Sequence, residues 1–286
     1  MSFFSGSMVA LITPLKVDFS VDYEALEALL DFHAVNDTAA IVACGTTGQS
    51  PTLSHDEHNA VVEFCCKHSK IPVIAGAGSN NTAEAIELTN HAEQIGAKAA
   101  LSITPYYNKP TQQGLYQHFK QIHDLSAIPI ILYDVPSRCG IGLSNETVVR
   151  LATDCQRIVG IKDATADLSR PSVFRHQLGQ DFCLLSGDDA STLGFYAQGG
   201  DGAISVTANI RPKQCSQVHQ LFSQAKVMEA QKIHNSLIDL HLDLFIEANP
   251  VPVVYALSKM GMCNNIVRSP LTTLSKDGME KIDKII

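Results

Sequence analysis

Five residues of this chain could together perform carbonyl chemistry: Lys162, Tyr133, Thr46, Thr47 and Arg138. Lys162 closes the apolar run of Ile158, Val159 and Ile161 in "RIVGIKDATAD", a run of the kind that becomes a buried strand. A lysine there either snorkels to water or pairs with Asp163 or Asp188, or it is a nucleophile. Desolvation lowers its pKa, so more of it is the neutral amine that attacks a carbonyl. The resulting Schiff base is an electron sink for carbon–carbon chemistry. Tyr133, after "IIL", reads as a core aromatic or as a phenol that shuttles the protons of carbinolamine formation and dehydration. Thr46 and Thr47, between Gly45 and Gly48, form a turn or offer hydroxyl and backbone donors to a carboxylate. Arg138 is a loop arginine or a bidentate clamp for a second carboxylate.

The elements that must position these residues alternate along the chain. Apolar strand runs begin at Met8, Ala39, Pro72, Ala99, Pro129, Ile158, Cys183 and Gly202. Helical stretches lie between them. "YEALEALLDFHAVN" puts Leu26, Leu29, Leu30 and His33 on one stripe, and "TAEAIELTNHAEQIG" is capped by Thr82 and Gly96. Continuously apolar strands are buried on both faces, as in parallel sheets. Eight β–α units by about residue 222 fit a (β/α)8 TIM barrel better than an open doubly wound sheet. The nearest approach to a dinucleotide fingerprint, "GAGSNN" from Gly76, lacks the third glycine and follows the third strand. Beyond Ala225 the strand signal stops. "KVMEAQKIHNSLIDLHLDLFIEA" reads as one long helix ending before Pro250, and two shorter helices follow. The expected organisation is an α/β barrel over residues 1–224 and a C-terminal helical domain over 225–286.

Chemistry in such a barrel sits at the C-terminal strand ends. Those ends read "GTTG", "TPYYNKP", "YDVPSRCG", Lys162, "SGDD" and "SVTAN", so hydroxyls, phenols, an arginine and one lysine converge.

Composition narrows the alternatives. The chain has 286 residues, 45% hydrophobic and 17% charged, which suits a sizeable buried core. A net charge of -8 without a basic stripe argues against nucleic acid as a partner. No run reaches the roughly 18 apolar residues of a membrane span, and the N-terminus lacks the basic region of a signal peptide. A cytoplasmic protein is therefore expected. Eight scattered cysteines with no Cys-x-x-Cys read as reduced and mostly buried, with Cys139 as the one near the candidate site. His55 and His58 in "SHDEH" lack a third ligand and the His-Glu-x-x-His spacing, so no metal is expected; the plain reading is two partly exposed surface histidines.

"GTTG", "PYYNKP", "YDVPSRCG", "GIKDAT" and "LLSGDDAS", with flanking likeness from "GSMVALITP" to "EANPVPVVYAL", resemble the dihydrodipicolinate synthase family. That family belongs to the pyruvate-dependent Schiff-base aldolase/lyase superfamily. The resemblance implies a reaction: pyruvate condenses with Lys162, becomes an enamine and attacks L-aspartate 4-semialdehyde. Cyclisation then releases 4-hydroxy-tetrahydrodipicolinate on the way to diaminopimelate and lysine. It implies no dissociable cofactor, only the covalent Schiff base. Tyr133 is then the general acid/base, and Thr46 and Tyr107 complete its proton relay, Tyr107 reaching in from a neighbouring subunit. Thr47 binds the pyruvate carboxylate, Arg138 the semialdehyde's, and Gly187 and Ile204 line the pocket through their carbonyls. Ser50, Pro51, His55, His58, Asn80, Glu84 and Tyr106 match an allosteric L-lysine pocket at a subunit interface. Glu84 is there for the ammonium, Asn80 and Tyr106 for the carboxylate. A homotetramer, a dimer of tight dimers, is also implied. Two departures stand out: Gln49 where the family often has Glu, and Asp134 where many members have Asn. The rival readings are a sugar-acid lyase of the same superfamily, such as an N-acetylneuraminate lyase or 2-keto-3-deoxy-sugar aldolase, and a non-catalytic binding barrel. Arg138 discriminates against the first, because a clamp for a small carboxylated aldehyde suits no polyhydroxylated chain. The intact set of Lys162, Tyr133, Thr46 and Tyr107 argues against the second.

Overall fold

The computed structural model describes residues 3–286. Its eight strands are β1 (Gly6–Ala10), β2 (Ile41–Ala43), β3 (Val73–Gly76), β4 (Ala99–Ile103), β5 (Ile130–Asp134), β6 (Ile158–Asp163), β7 (Cys183–Ser186) and β8 (Gly202–Ser205). They form a closed parallel barrel in chain order, the fold that eight apolar strands separated by helices predict. The helices are α1 (Tyr23–Ala34), α2 (His55–His68), α3 (Thr82–Gln94), α4 (Gln112–Asp124), α5 (Pro136–Cys139), α6 (Asn145–Asp154), α7 (Ser169–Leu178), α8 (Thr192–Ala197) and α9 (Pro212–Ser223). Four more follow: α10 (Val227–Ser236), α11 (Ile238–Asp243), α12 (Val251–Lys259) and α13 (Lys276–Ile282).

The described residues divide into two compact units, 3–6 with 74–204 and 7–73 with 205–286. The core of the first unit lies between strands and helices. Ile130 and Leu132 of β5, Ile158 and Ile161 of β6 and Leu184 of β7 pack there against Leu115, Phe119, Leu151 and Phe174. In the second unit, α1 buries the stripe read from its sequence, Leu26, Leu29, Leu30 and His33.

Two local readings are corrected, and a third feature, "GAGSNN", gains a structural account. The cap of α3 is Asn81, whose side chain accepts from Ala83 N; Thr82 is the first helical residue, and its hydroxyl meets His118 Nδ1 at 2.9 Å. The long C-terminal helix is broken at Leu237 and ends at Asp243. Ser236 Oγ donates to Ile233 O at 2.7 Å and Leu237 N turns to His234 O at 3.0 Å. A mid-helix serine that bonds its own backbone in this way competes with the helical ladder. Finally, a Cβ at Gly78 of "GAGSNN" would lie 2.3 Å from Ile103 N, so this glycine serves close backbone packing.

Candidate active site

Alternation along the strands decides which side chains meet. On β5, Ile130 and Leu132 face the helix-side core, so Tyr133 points the other way. On β6, Ile161 faces that core, so Lys162 points with Tyr133 and Asp163 points with Ile161. A register shift makes the match: Ile130 pairs with Ile158 but Ile131 pairs with Gly160, leaving Val159 as the extra residue. The shift sets Tyr133 opposite Lys162 and Asp134 opposite Asp163. The ammonium nitrogen of Lys162 lies 4.3 Å from the Tyr133 ring centroid. Thr104 holds the tyrosine's backbone, donating from N to Tyr133 O at 3.0 Å.

Lys162 is only 6% exposed, and its amine is pulled down to about 8. Burial is the main cause; the Asp189 carboxylate opposes it, and the Arg138 guanidinium adds to it. The lysine stem runs over Gly187, where a Cβ would come 3.0 Å from Lys162 Cε and 2.8 Å from Ala164 Cβ. Arg138 stands exposed on the short α5, and Ile204 is buried on β8. Tyr107 is 89% exposed with φ at 72°. Neither carboxylate read from sequence as a partner of Lys162 takes that part. Asp163 is engaged by Arg170, and Asp188 accepts from Ser191 N at 3.0 Å. Asp189, the second acid of "GDD", is the one that acts on the lysine. Cys139 is buried, and burial raises its thiol pKa, against a reactive role. None of the eight cysteines is in a disulfide among the described residues.

In the second unit, Thr46 and Thr47 follow β2 in a turn closed by Gln49 N to Thr46 O at 3.1 Å. Thr47 is buried, and Asn249, 202 residues onward, donates its amide to Thr47 Oγ1 at 3.0 Å. Gln49 is buried at φ 57°; its amide donates to Thr13 O and accepts from Arg268 N at 3.1 Å. A glutamate could do only the accepting, which accounts for an amide here. Ser50 and Pro51 form a 3-10 turn. His55 opens α2 exposed, whereas His58 is buried at 6% exposure, so the reading of two surface histidines holds for His55 alone.

The first unit gathers the remaining members of the expected lysine set. Asn80 Nδ2 donates to Tyr106 O at 3.1 Å, Asn108 Nδ2 to Asn80 O at 2.9 Å, and Ser79 Oγ to Glu84. Ser79 and Asn108 carry no signal of their own for this cluster in the sequence. A separate cavity of about 420 Å³, lined by Phe3, Ile158, Val159, Leu178 and Phe182, touches the N-terminal end of β6 and holds none of the candidate residues. Among the described residues no His/Cys/Asp/Glu cluster could hold a metal, and no helix is long and apolar enough to cross a membrane.

The model of the dihydrodipicolinate synthetase family matches residues 3–286. The chain belongs to that family. It is 50% identical over 281 residues to the 4-hydroxy-tetrahydrodipicolinate synthase of Parvibaculum lavamentivorans, covering 98% of this chain and 96% of that protein. The crystal structure of dihydrodipicolinate synthase from Aquifex aeolicus superposes with a TM-score of 0.96 at 46% identity, over 99% of this chain and 97% of that one. The enzyme of Cyanidioschyzon merolae, solved with lysine bound, superposes with a TM-score of 0.97 at 36% identity, over 100% of this chain and 98% of that one. Enzymes of this family are lyases that work through a lysine–pyruvate Schiff base.

Proposed function

We propose that Lys162 is the residue through which this chain performs the reaction of its family, the condensation of pyruvate with L-aspartate 4-semialdehyde. The carrying observation is a buried amine, held near pH 8, that faces a tyrosine ring across two paired strands. The neutral amine attacks the pyruvate ketone to give a carbinolamine, and loss of water gives the iminium. Loss of a methyl proton then gives the enamine, whose carbon bonds to the aldehyde carbon. The semialdehyde's own amine closes the ring and displaces Lys162. Tyr133 carries the protons of these steps, with Thr46 and Tyr107 completing the relay. Thr47 holds the pyruvate carboxylate. Arg138, exposed on α5, meets the carboxylate of the incoming semialdehyde. Gly187 and Ile204 line the pocket, and Gly187 also leaves room for the lysine stem.

Two further roles rest on the same family likeness. The set of Ser50, Pro51, His55, His58, Asn80, Glu84 and Tyr106 binds L-lysine and lowers activity; calorimetry with lysine and turnover at saturating lysine check this. The working assembly is a homotetramer, in which the exposed Tyr107 enters a neighbouring subunit's site.

Borohydride trapping tests the central reading. After incubation with pyruvate and reduction, mass spectrometry should find the adduct on the Lys162 peptide. Folded protein with no adduct, or with the adduct elsewhere, overturns the assignment.

A further inference from the structure

Behind Lys162 and Tyr133 lies a second set of charges. Asp134 and Asp163 directly follow the two residues on β5 and β6, are register partners themselves, and point to the opposite side. Arg170, second residue of α7, sits between them. Its Nε donates to Asp163 Oδ2 at 2.6 Å and its NH2 to Asp134 Oδ2 at 2.9 Å. Its NH1 donates to Leu143 O at 2.9 Å, and Leu143 N returns a bond to Asp134 Oδ1 at 3.2 Å. Asp163 Oδ1 accepts from Thr165 N at 2.9 Å and from Thr165 Oγ1 at 2.6 Å. Asp134 is 0% exposed, Asp163 3% and Arg170 9%.

We propose that Arg170 is a positioning residue of the active site: through Asp134 and Asp163 it locks the ends of β5 and β6 in the register that sets Lys162 against Tyr133. The inference rests on the Schiff-base reading of Lys162. Parallel strands held only by backbone bonds fray at their ends. Here one rigid guanidinium fork spans both ends one residue beyond the reacting pair. The clamp also sets charge. Two carboxylates and one guanidinium lie behind an amine that already faces Asp189 and Arg138. Burial already pushes Asp134 up to about 6, and Arg170 is what holds it down. Without Arg170 part of the pair's charge is lost to protonation, and the charge that stays ionised, now uncompensated, holds the proton on Lys162 more tightly.

The test compares Arg170→Met, Arg170→Lys and Asp163→Asn with the parent. It reads kcat, KM for pyruvate, Tm and the pH dependence of borohydride trapping. Arg170→Met should lose about 10- to 100-fold in kcat, the scale of a small misplacement of reacting groups, with a lesser change in KM. Its trapping profile should move to higher pH. Arg170→Lys restores charge without the fork, so its profile should return toward the parent's while kcat stays low. If Arg170→Met does not fold, Asp163→Asn should show the kcat loss. Variants with lower Tm but parental kcat and parental trapping profile would show Arg170 to be purely structural and overturn the proposal. Parent protein that forms no adduct on Lys162 would instead overturn the Schiff-base reading, and this inference with it.

Discussion

Lys162 is poised by opposed influences, and the balance makes its own predictions. Burial drives the proton off and Asp189 holds it on, leaving the amine at about 8. The nucleophile is the deprotonated form, so trapping by pyruvate should rise with pH through about 8 and fall about tenfold per unit below it. The same shift has a cost in stability. A lysine lowered on folding binds fewer protons in the folded than in the unfolded chain between about 8 and its ordinary 10.5, so stability rises with pH across that window and the penalty is full below it. Lys162→Met should therefore abolish the adduct and stabilise the fold at neutral pH by about 1–3 kcal/mol, a trade between activity and stability readable by thermal melts. Tyr133→Phe keeps the ring beside the amine but removes the phenol. It should lower kcat by about 10²- to 10⁴-fold and still leave a slow adduct on Lys162, which separates proton transfer from nucleophilic attack.

At the scale of elements, the parts that sequence reveals are those with a local signature. Each strand is a continuous apolar run, and Lys162 is visible because it interrupts that pattern. The β6 shift at Val159 has no such mark, since any residue of the run could have been the extra one. Arg170, Asp189 and Asn249 also escape, because each acts on a residue far away in the chain: Arg170 lies 36 positions from Asp134, and Asn249 lies 202 from Thr47. Asp134 shows the same limit. Its departure from the Asn that the resemblance leads one to expect is visible in sequence, but its bond to Arg170 is not. Asn249 yields a prediction of its own. Its amide occupies an acceptor site on Thr47 Oγ1, which leaves the hydroxyl proton available to a carboxylate. Asn249→Ala should raise KM for pyruvate by up to about tenfold, the worth of one hydrogen bond, with a smaller change in kcat. Steady-state kinetics at saturating semialdehyde reads that split.

For the whole molecule, Tyr107 is the residue that a single chain leaves without a setting. It is 89% exposed, beside Tyr106 at 38%, and it holds a positive φ of 72°. A non-glycine residue at positive φ carries a backbone cost that isolated loops rarely keep without a compensating contact. A neighbouring subunit that receives Tyr107 would supply it, and an isologous two-fold contact would complete two sites at once. Subunit mixing tests this directly. Chains with Tyr107→Ala keep Lys162, chains with Lys162→Ala keep Tyr107, and each assembly alone should be nearly inactive. After dissociation and random reassociation in equal amounts, about half the dimers are mixed, and each mixed dimer regains one of its two sites. Activity should return to about a quarter of the parent's. If Tyr107 served its own subunit, no pairing would reunite it with Lys162, and the mixture would stay as inactive as its components.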